Sequence, residues 1–496
     1  MNRLFIIAAL AIFAIASAET NTLFAQAAEP NSDKLQKLQK QLDDMQAQMA
    51  AVQAEIKQLS SGTTQANNMT EAAAQASTSN QTSSGQSEAA TELDQEQQRE
   101  VGKQTSTHVT FSQDEVAAAR VDNAPLDPRY PGYFRLPGTR TFLKIGGYFK
   151  TDFIRDIRQA GDTDRFIPSS IPIPAPAGVS NSTVSVRPTR LNLDFLIPSE
   201  SLGKIRFFVE GDLFGSSATT PRMRHAYAQA RNLLIGQTFS NFMDPDSGPD
   251  QLDFQGPNGQ VSIRNPQLRY SVPLGEKRSL RFSVEKASSD VAFKTPEFNA
   301  LPNSPAPDGA ITFRQDMNSG HFQFSWLFRD IAAFLPNGVS DSTFGWGFNF
   351  TGLQKTVGKD AFTYQIAYGR GIGRYLNDTS GLGIDAAPIS AAEPRLRSLP
   401  VLGAYGSYQH FWVPKLRSNL IYGFVQVDNT SFQPGSTFHQ SNYTATNLIW
   451  NVAGSLNVGA EFLYGWLVEK NGAKGNAPRL MISAKYNFVK TEETKQ

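Results

Sequence analysis

The sequence predicts an all-β fold: a transmembrane antiparallel β-barrel of about 16 strands, preceded by an N-terminal α-helical coiled-coil segment and a disordered linker. Three observations support this prediction. Segments of about ten residues between positions 140 and 488 alternate strictly between apolar and polar side chains. Their apolar faces are dense in Phe, Trp and Tyr, as expected of a surface that meets lipid. The chain also begins with a secretory signal, after which no apolar run is long enough for a membrane-spanning helix.

The composition excludes several classes of functional site. The 496 residues contain no cysteine, which excludes disulfides, thiolate zinc sites, iron–sulfur clusters and a cysteine nucleophile. The formal net charge of +1 is the sum of two unlike parts. Residues 1–139 hold 10 Lys or Arg against 16 Asp or Glu, whereas residues 140–496 hold 36 against 29. The N-terminal arm is therefore acidic and the predicted barrel is basic.

The first 27 residues are interpreted as a signal peptide. Arg3 precedes an apolar stretch from Leu4 to Ala16, and small residues follow it. Cleavage after Ala18 and cleavage after Ala27 fit the pattern about equally well. The alternative is an uncleaved membrane anchor, but the stretch is short for a span and no basic flank follows it.

Residues 32–60 are predicted to form a coiled coil, because apolar residues recur at alternating spacings of three and four. The seam consists of Leu35, Leu38, Leu42, Met45, Met49, Val52, Ile56 and Leu59. A single helix would expose this stripe, so the pattern predicts a partner chain; a lone amphipathic helix docked on the protein's own body is the alternative. Residues 61–139, rich in Ser, Thr, Gln, Ala and Asn up to about position 128, are predicted to be a flexible polar linker.

Residues 140–488 are predicted to form the barrel, and residues 489–496 a C-terminal tail. In a typical segment Phe322, Phe324, Trp326 and Phe328 alternate with polar neighbours. About 350 residues at roughly 22 per strand and connection give close to 16 strands, enough for a water-filled lumen. A soluble all-β protein also alternates, but its strands are shorter and its inner face is dry.

If the apolar face meets lipid, the polar face lines a pore. The basic residues predicted to line it and to bind anions are Lys144, Lys150, Arg187, Arg190, Arg206, Arg222, Arg224, Arg269, Arg281 and Arg329. Arginine predominates, and its planar fork matches carboxylates and phosphates in paired hydrogen bonds. The alternative is that these cations form structural ion pairs with wall carboxylates, namely Asp152, Asp194, Glu210, Asp212 and Glu285.

The segment Asn241–Gly259 is too long and too rich in Pro and Gly for a simple turn, so it is predicted to fold into the lumen as a constriction loop. It carries four acidic residues, Asp244, Asp246, Asp250 and Asp253. Facing a basic wall, they would give a transverse field that orients dipolar or dianionic solutes. Calcium binding is the alternative, but the spacing does not match an EF-hand, and we assign no metal and no cofactor.

Enzyme classes find little support. The five histidines are scattered without an H-E-x-x-H pair, and G-x-S-x-G is absent from the sequence. A rim hydrolase using His321 or His410 is the remaining catalytic alternative. We predict that the protein is not an enzyme.

Several motifs resemble those of the DcaP-like outer-membrane porins. The segments that carry the resemblance are GYFKTDFIRDIRQAGDTDRFIPSSIP (147–172), RLNLDFLIP (190–198), RHAYAQARNLLIGQTFSNFMD (224–244), DFQGPNG with IRNPQLRY (253–270), GRGIGRYLND (369–378) and RLMISAKYNF (479–488). The resemblance implies a 16-stranded trimeric porin with a periplasmic coiled coil and an arginine-lined constriction that takes up small anions, dicarboxylates among them. One departure is that eight residues follow Phe488, whereas such barrels usually end on the aromatic residue.

Together these inferences predict a passive diffusion channel in the Gram-negative outer membrane, with a periplasmic N-terminal segment. The expected partners are two further copies of the chain, outer-membrane lipid and small anionic solutes, with no nucleic acid. The alternative function is a structural tether whose periplasmic coiled coil binds the cell wall or a partner.

Overall fold

The structure is a computed structural model that describes residues 130–488, apart from 131, 217–218, 292–293, 296–297, 300, 335–339 and 391–394. Sixteen antiparallel strands close into one barrel within these residues. The predicted fold class and strand number of the barrel are therefore confirmed. The signal peptide, the coiled-coil seam, most of the linker and the C-terminal tail lie outside the described residues, and the tether alternative rests on them.

The barrel strands are seven to sixteen residues long. We number only these strands: β1 (Phe142–Asp156), β2 (Arg190–Ser199), β3 (Gly203–Asp212), β4 (Arg222–Ala230), β5 (Leu233–Phe239), β6 (Arg264–Pro273), β7 (Arg278–Glu285), β8 (Asp308–Met317), β9 (Gly320–Phe334), β10 (Ser340–Lys355), β11 (Ala361–Arg370), β12 (Pro400–Val413), β13 (Leu416–Val427), β14 (Phe438–Ala453), β15 (Leu456–Glu469) and β16 (Lys474–Asn487).

Strand β1 closes the barrel by pairing on both of its edges. One edge pairs with β2 and then with the short strand Asn181–Ser185. The other edge pairs with β16, from Tyr148 onward, and with the two-residue strand Phe134–Arg135 at its beginning. The N-terminal segment thus occupies the edge of β1 that β16 is too short to reach.

The alternation along the strands separates an outer from an inner face, as predicted. On β1 the side chains of Phe149 and Phe153 are 49% and 42% exposed, whereas Lys150 and Asp152 between them are buried. The same contrast runs along β9, where Phe324, Trp326 and Phe328 are exposed on the side opposite Arg329. A band of exposed aromatic and aliphatic residues is the surface that an outer-membrane barrel presents to lipid.

Connections at one end of the barrel are two to five residues long, and most of those at the other end are longer. Three long loops, 157–189, 240–263 and 371–399, pack with inward wall residues in an apolar core. Its members include Phe166, Ile171, Phe242, Leu252, Val261, Ile372 and Leu376 from the loops and Leu327, Ile421 and Leu463 from the wall. Part of the interior is therefore filled by packed apolar side chains, which reduces the space left for the predicted water-filled lumen. The alternation of the strands identifies the inward face but not how much of it the loops cover.

The remaining elements are short. Two small hairpin sheets pair Lys294–Thr295 with Phe298–Asn299 and Ala386–Pro388 with Leu396–Ser398, and Leu301–Asn303 pairs with the end of β9. Single 3-10 turns occur at Pro168–Ser170, Pro245–Ser247 and Gly373–Tyr375. None of the helical turns in the described part of the chain is long and apolar enough to cross a membrane.

Candidate functional site

Loop 240–263, which contains the predicted constriction segment, runs through the barrel interior to the far wall. Near its tip the backbone N–H groups of Leu252 and Asp253 donate to the carboxylate of Glu461 on β15, at 2.8 and 3.0 Å. Further hydrogen bonds join the loop to other strands: Asn258 to Ser441 on β14, and Val261 and Gly259 to Gln365 on β11. The loop is thus fixed to the wall by buried polar contacts, which are costly to break.

Two of the loop's acidic residues, Asp244 and Asp246, form an ion-pair network with the wall. Arg314 Nη1 on β8 lies 3.4 Å from Asp244 and 2.7 Å from Asp246, and His321 Nε2 on β9 lies 2.9 Å from Asp244. Burial raises the pKa of Asp246, and the neighbouring Asp244 raises it further. Burial would also raise the pKa of Asp244, but His321 and Arg314 outweigh it and hold that pKa below its ordinary range.

The same three side chains, Asp244, Asp246 and His321, have ligand atoms within 4.8 Å of one another. This is the geometry in which a cation could be held, which bears on the calcium alternative. Here the Arg314 guanidinium contacts both carboxylates and supplies the positive charge. These ion pairs fasten loop 240–263 to strands β8 and β9 of the wall.

The other two acidic residues of the loop also contact wall or loop groups. Asp250 pairs with Arg417 on β13 and accepts a 3.1 Å bond from Gln409 on β12. Asp253 accepts bonds from two backbone N–H groups, those of Phe166 and Gly256. All four acidic residues therefore have partners, and three of them contact wall side chains directly.

Close to the tip of loop 240–263 lies an arginine-rich cluster built on two stacked rings. Phe214, just after β3, stacks on Phe254 of the loop with ring centroids 4.3 Å apart. Five guanidinium groups lie over one or both rings: Arg165, Arg187, Arg190, Arg222 and Arg224. We call these seven residues the arginine–phenylalanine cluster.

Carboxylates at the edge of the cluster hold several of its arginines. Arg224 bonds Glu210 at 2.8 Å and Asp212 at 2.9 Å, and Arg222 bonds Asp212 at 2.7 Å. On the loop side, Arg187 pairs with Asp164 and Arg165 with Asp162. Four of the ten cations that the sequence analysis named, Arg187, Arg190, Arg222 and Arg224, come together here. Arg165 was not among them because it lies outside any alternating segment.

Of the other predicted pore residues, Arg206 and Arg329 are held in ion pairs with wall or loop carboxylates. Arg206 donates hydrogen bonds to both carboxylate oxygens of Asp194. Arg329 is only 3% exposed and lies between Asp308 on β8 and Asp385 of loop 371–399. The pair Arg206–Asp194 is one of the structural ion pairs given above as the alternative, whereas the partners of Arg329 are not among the carboxylates named there.

The remaining four predicted cations lie apart from the cluster. Lys150 is buried against Asp152 and the carbonyl of Leu252, and Lys144 lies over the ring of Tyr133. The last two bond neutral partners: Arg269 bonds Gln267 and the carbonyl of Phe239, and Arg281 bonds Gln323.

Besides Arg165, the predicted set lacked Arg264, Arg314 and Arg417, which the structure also brings into the site. Arg264 lies over the ring of Phe239, and the other two fasten loop 240–263. A signal for Arg314 was available, because Thr312, Arg314 and Asp316 alternate with the apolar residues of β8. Arg417 is the second residue of β13, and too few strand residues precede it for the alternation to assign it to the inner face.

The two histidines of the hydrolase alternative each contact a carboxylate. His321 bonds Asp244, and His410 Nδ1 lies 2.8 Å from Asp360. Among the contacts of the described residues, neither imidazole bonds a serine hydroxyl. The prediction that the protein is not an enzyme stays a prediction at the level of activity.

Gly259 lies at a close approach of loop 240–263 to the wall, and its replacement tests that packing. A Cβ atom at this position would lie 2.3 Å from the carbonyl of Phe424 and 2.4 Å from that of Ala404. Because both are backbone atoms, we expect Gly259→Ala to lower the free energy of unfolding by about 1–3 kcal/mol through overpacking. Thermal denaturation of the detergent-solubilised protein measures this. Gly309→Ala, where a Cβ meets open space, is the control and should change little.

Asp253 gives the loop a pH-dependent stability. Burial raises the pKa of this carboxyl to about 6, against about 3.9 in an unfolded chain. Between these values the folded protein binds the proton more tightly, so the free energy of unfolding should fall as pH rises from about 4 to about 6, by about 3 kcal/mol at most. Denaturation midpoints of wild type and Asp253→Asn across this window test it. Parallel pH profiles for the two proteins would contradict the prediction.

Comparisons with known proteins agree with this architecture. A model of the DcaP outer membrane protein family matches residues 136–488. Among solved structures, the chain resembles the outer membrane channel DcaP of Acinetobacter baumannii, with 23% identity, a TM-score of 0.63 and coverage of 71% of this chain and 99% of that chain. This likeness supports the barrel fold. No curated protein matches the chain by sequence.

Two further structures are more distant. The anion-selective porin from Comamonas acidovorans matches with 10% identity, a TM-score of 0.48 and coverage of 70% and 99% of the two chains. OmpT of Vibrio cholerae matches with 12% identity, a TM-score of 0.44 and coverage of 71% and 99%.

Proposed function

The chain belongs to the DcaP outer membrane protein family, and on that premise we propose that it is a passive diffusion channel with a preference for small anions. Membership places the protein in the Gram-negative outer membrane. The closed barrel with an exposed apolar band suits that environment. A 16-stranded barrel is also wide enough to leave an aqueous path beside the loops that fold into it.

The arginine–phenylalanine cluster is the observation that supports anion preference. Five guanidinium groups converge on two rings inside the barrel, beside the tip of loop 240–263. Fixed positive charge in a low-dielectric wall raises the local concentration of anions and excludes cations. On this proposal Arg187, Arg190, Arg222 and Arg224 are the principal selectivity residues, and the other predicted cations contribute to the field of the lumen.

Carboxylates are the anions that this cluster suits best. Asp212 shows how one is held there: Arg222 binds both of its oxygens, and Arg224 binds one of them as well. A solute with two carboxylates could engage two arginines in succession while it passes the loop. Dicarboxylates are therefore the solute class that we propose.

Loop 240–263 acts in this proposal as the constriction. Its four acidic residues serve mainly to fasten it, because Asp244, Asp246 and Asp250 contact wall arginines directly. The field in the lumen then comes mainly from the arginine–phenylalanine cluster, because Asp244, Asp246 and Asp250 are paired with cations of the wall. We further propose that three chains assemble in the membrane and that the N-terminal segment is periplasmic.

Solute uptake by reconstituted liposomes tests the proposal. Purified protein in liposomes should admit a small dicarboxylate such as succinate faster than a neutral or cationic solute of similar size. The expected advantage is several-fold, and it should shrink at high salt, where the field of the lumen is screened. Equal uptake rates for the three solutes, or no uptake at all, would contradict the proposed anion preference.

A further inference from the structure

The stacked rings of the arginine–phenylalanine cluster come from two separate loops, each fixed independently. Phe214 is buried, and its backbone N–H bonds Asp212 at 3.0 Å. Phe254 is half-buried and follows Asp253, whose N–H bonds Glu461 on the far wall. The rings meet at 4.3 Å with an interplanar angle of 26°. This is the offset, near-parallel packing that aromatic pairs favour.

Guanidinium groups cover the rings from several strands and loops. Their distances to the ring centroids are 4.7 Å for Arg187, 5.4 Å for Arg222 and 5.8 Å for Arg165 on Phe214, and 5.3 Å for Arg190, 5.4 Å for Arg224 and 6.0 Å for Arg222 on Phe254. All lie within the range in which a ring attracts a cation. Phe254 alone therefore touches three arginines that the wall brings from β2 and β4.

Such a concentration of like charge is unstable without compensation. The face of an aromatic ring is negative, so each ring offsets part of the repulsion between neighbouring guanidinium groups. A ring also differs from a carboxylate in the part of the guanidinium group that it contacts. It contacts the flat face of the guanidinium and leaves the N–H donors in the plane to bond carboxylates, as Arg222 does with Asp212 and Arg224 with Glu210.

We propose that Phe254 is a positioning residue for the selectivity arginines of this channel. Its ring, together with the carboxylates of Glu210 and Asp212, holds Arg190, Arg222 and Arg224 in place beside the tip of loop 240–263. Loop 240–263 thereby sets the arrangement of charge in the lumen as well as its width. This inference rests on the proposed function, because it assigns Phe254 a role in anion selectivity.

Replacement of Phe254 by leucine removes the ring face and keeps an apolar side chain of similar size. We expect Phe254→Leu to lower the anion-over-cation permeability ratio about threefold or more, since the arginines lose a fixed position. Phe254→Tyr keeps the ring and should restore the wild-type ratio. Phe242→Leu is the matched control, because Phe242 is a buried ring of the same loop that packs against Tyr375. It should leave the ratio unchanged even if it weakens the loop.

Chemical labelling gives a second readout that does not depend on selectivity. Phenylglyoxal reacts with accessible arginines, and mass spectrometry locates the products. In full-length protein we expect Phe254→Leu to speed labelling of Arg190, Arg222 and Arg224 several-fold, with exposed Arg278 unchanged. If wild type is not anion-selective, the proposed function fails while the labelling still decides the role of Phe254. If Phe254→Leu keeps both the permeability ratio and the labelling rates of the wild type, the role of Phe254 is overturned and the proposed function is not affected.

Discussion

Replacement of Arg187 and Arg222 together by glutamine should abolish most of the anion preference. Both side chains are partly exposed, at 24% and 36%, and both lie over the ring of Phe214. Removing two fixed positive charges from a confined lumen should lower the anion-over-cation permeability ratio by roughly three- to tenfold. Arg224 is left in place to pair with Glu210 and Asp212, so no buried carboxylate of the wall loses its last partner.

The lysine pair Arg187→Lys and Arg222→Lys is the matched control for charge. It keeps both positive charges, so it should retain most of the selectivity while it loses the paired geometry of the guanidinium fork. A second control is Arg140→Gln, because Arg140 is 81% exposed at the short-turn end and should not influence the lumen. Reversal potentials measured in planar bilayers compare all three. An unchanged ratio in the glutamine pair would contradict the assignment of these arginines to selectivity.

Replacement of Glu461 by glutamine should release the tip of loop 240–263. The buried carboxylate accepts hydrogen bonds from Leu252 N, Asp253 N and the side chain of Asn447. A glutamine amide has nearly the same shape but turns one acceptor into a donor. It therefore leaves a buried N–H of the loop unsatisfied, at a cost of about 1–3 kcal/mol. We expect a wider lumen. Single-channel conductance should rise to about 1.5–2 times the wild-type value, and the open states should be noisier.

Conductance in planar bilayers measures this effect, and Glu276→Gln is the control because Glu276 lies exposed in the short turn between β6 and β7. The barrel itself should remain intact, since the Glu461 side chain bonds the loop and the Asn447 side chain and takes no part in the backbone ladder of the strands. An intact barrel with wild-type conductance and noise would show that Glu461 does not hold the loop. In that case the constriction role of loop 240–263 would lose its structural basis.

The barrel was predictable because the alternation of apolar and polar side chains depends only on neighbouring residues of one strand. Period-two alternation follows from strand geometry, so the pattern around Phe324 and Trp326 identifies the lipid face without knowledge of any partner. The number of strands follows from the length of the alternating region divided by the usual length of one strand and its connection. Even the inward position of Arg190 and Arg206 could be read from the alternation alone.

The site was less predictable because its contacts join residues far apart in sequence. Nothing in the alternation relates Phe254 to Phe214, or Arg417 to Asp250, since each pair combines a loop with a distant wall or second loop. The same holds for the apolar part of the interior, where Leu252 and Val261 pack among other loop residues. The coiled-coil seam from Leu35 to Leu59 lies outside the described residues and stays a prediction.

Anion preference is tested most directly by the reversal potential of the purified full-length channel in a planar bilayer under a gradient of potassium chloride. We expect discrete channel steps and a reversal potential of the sign that chloride permeation gives, with a magnitude that falls as total salt rises. A reversal potential of the opposite sign, or the absence of channel steps, would contradict it.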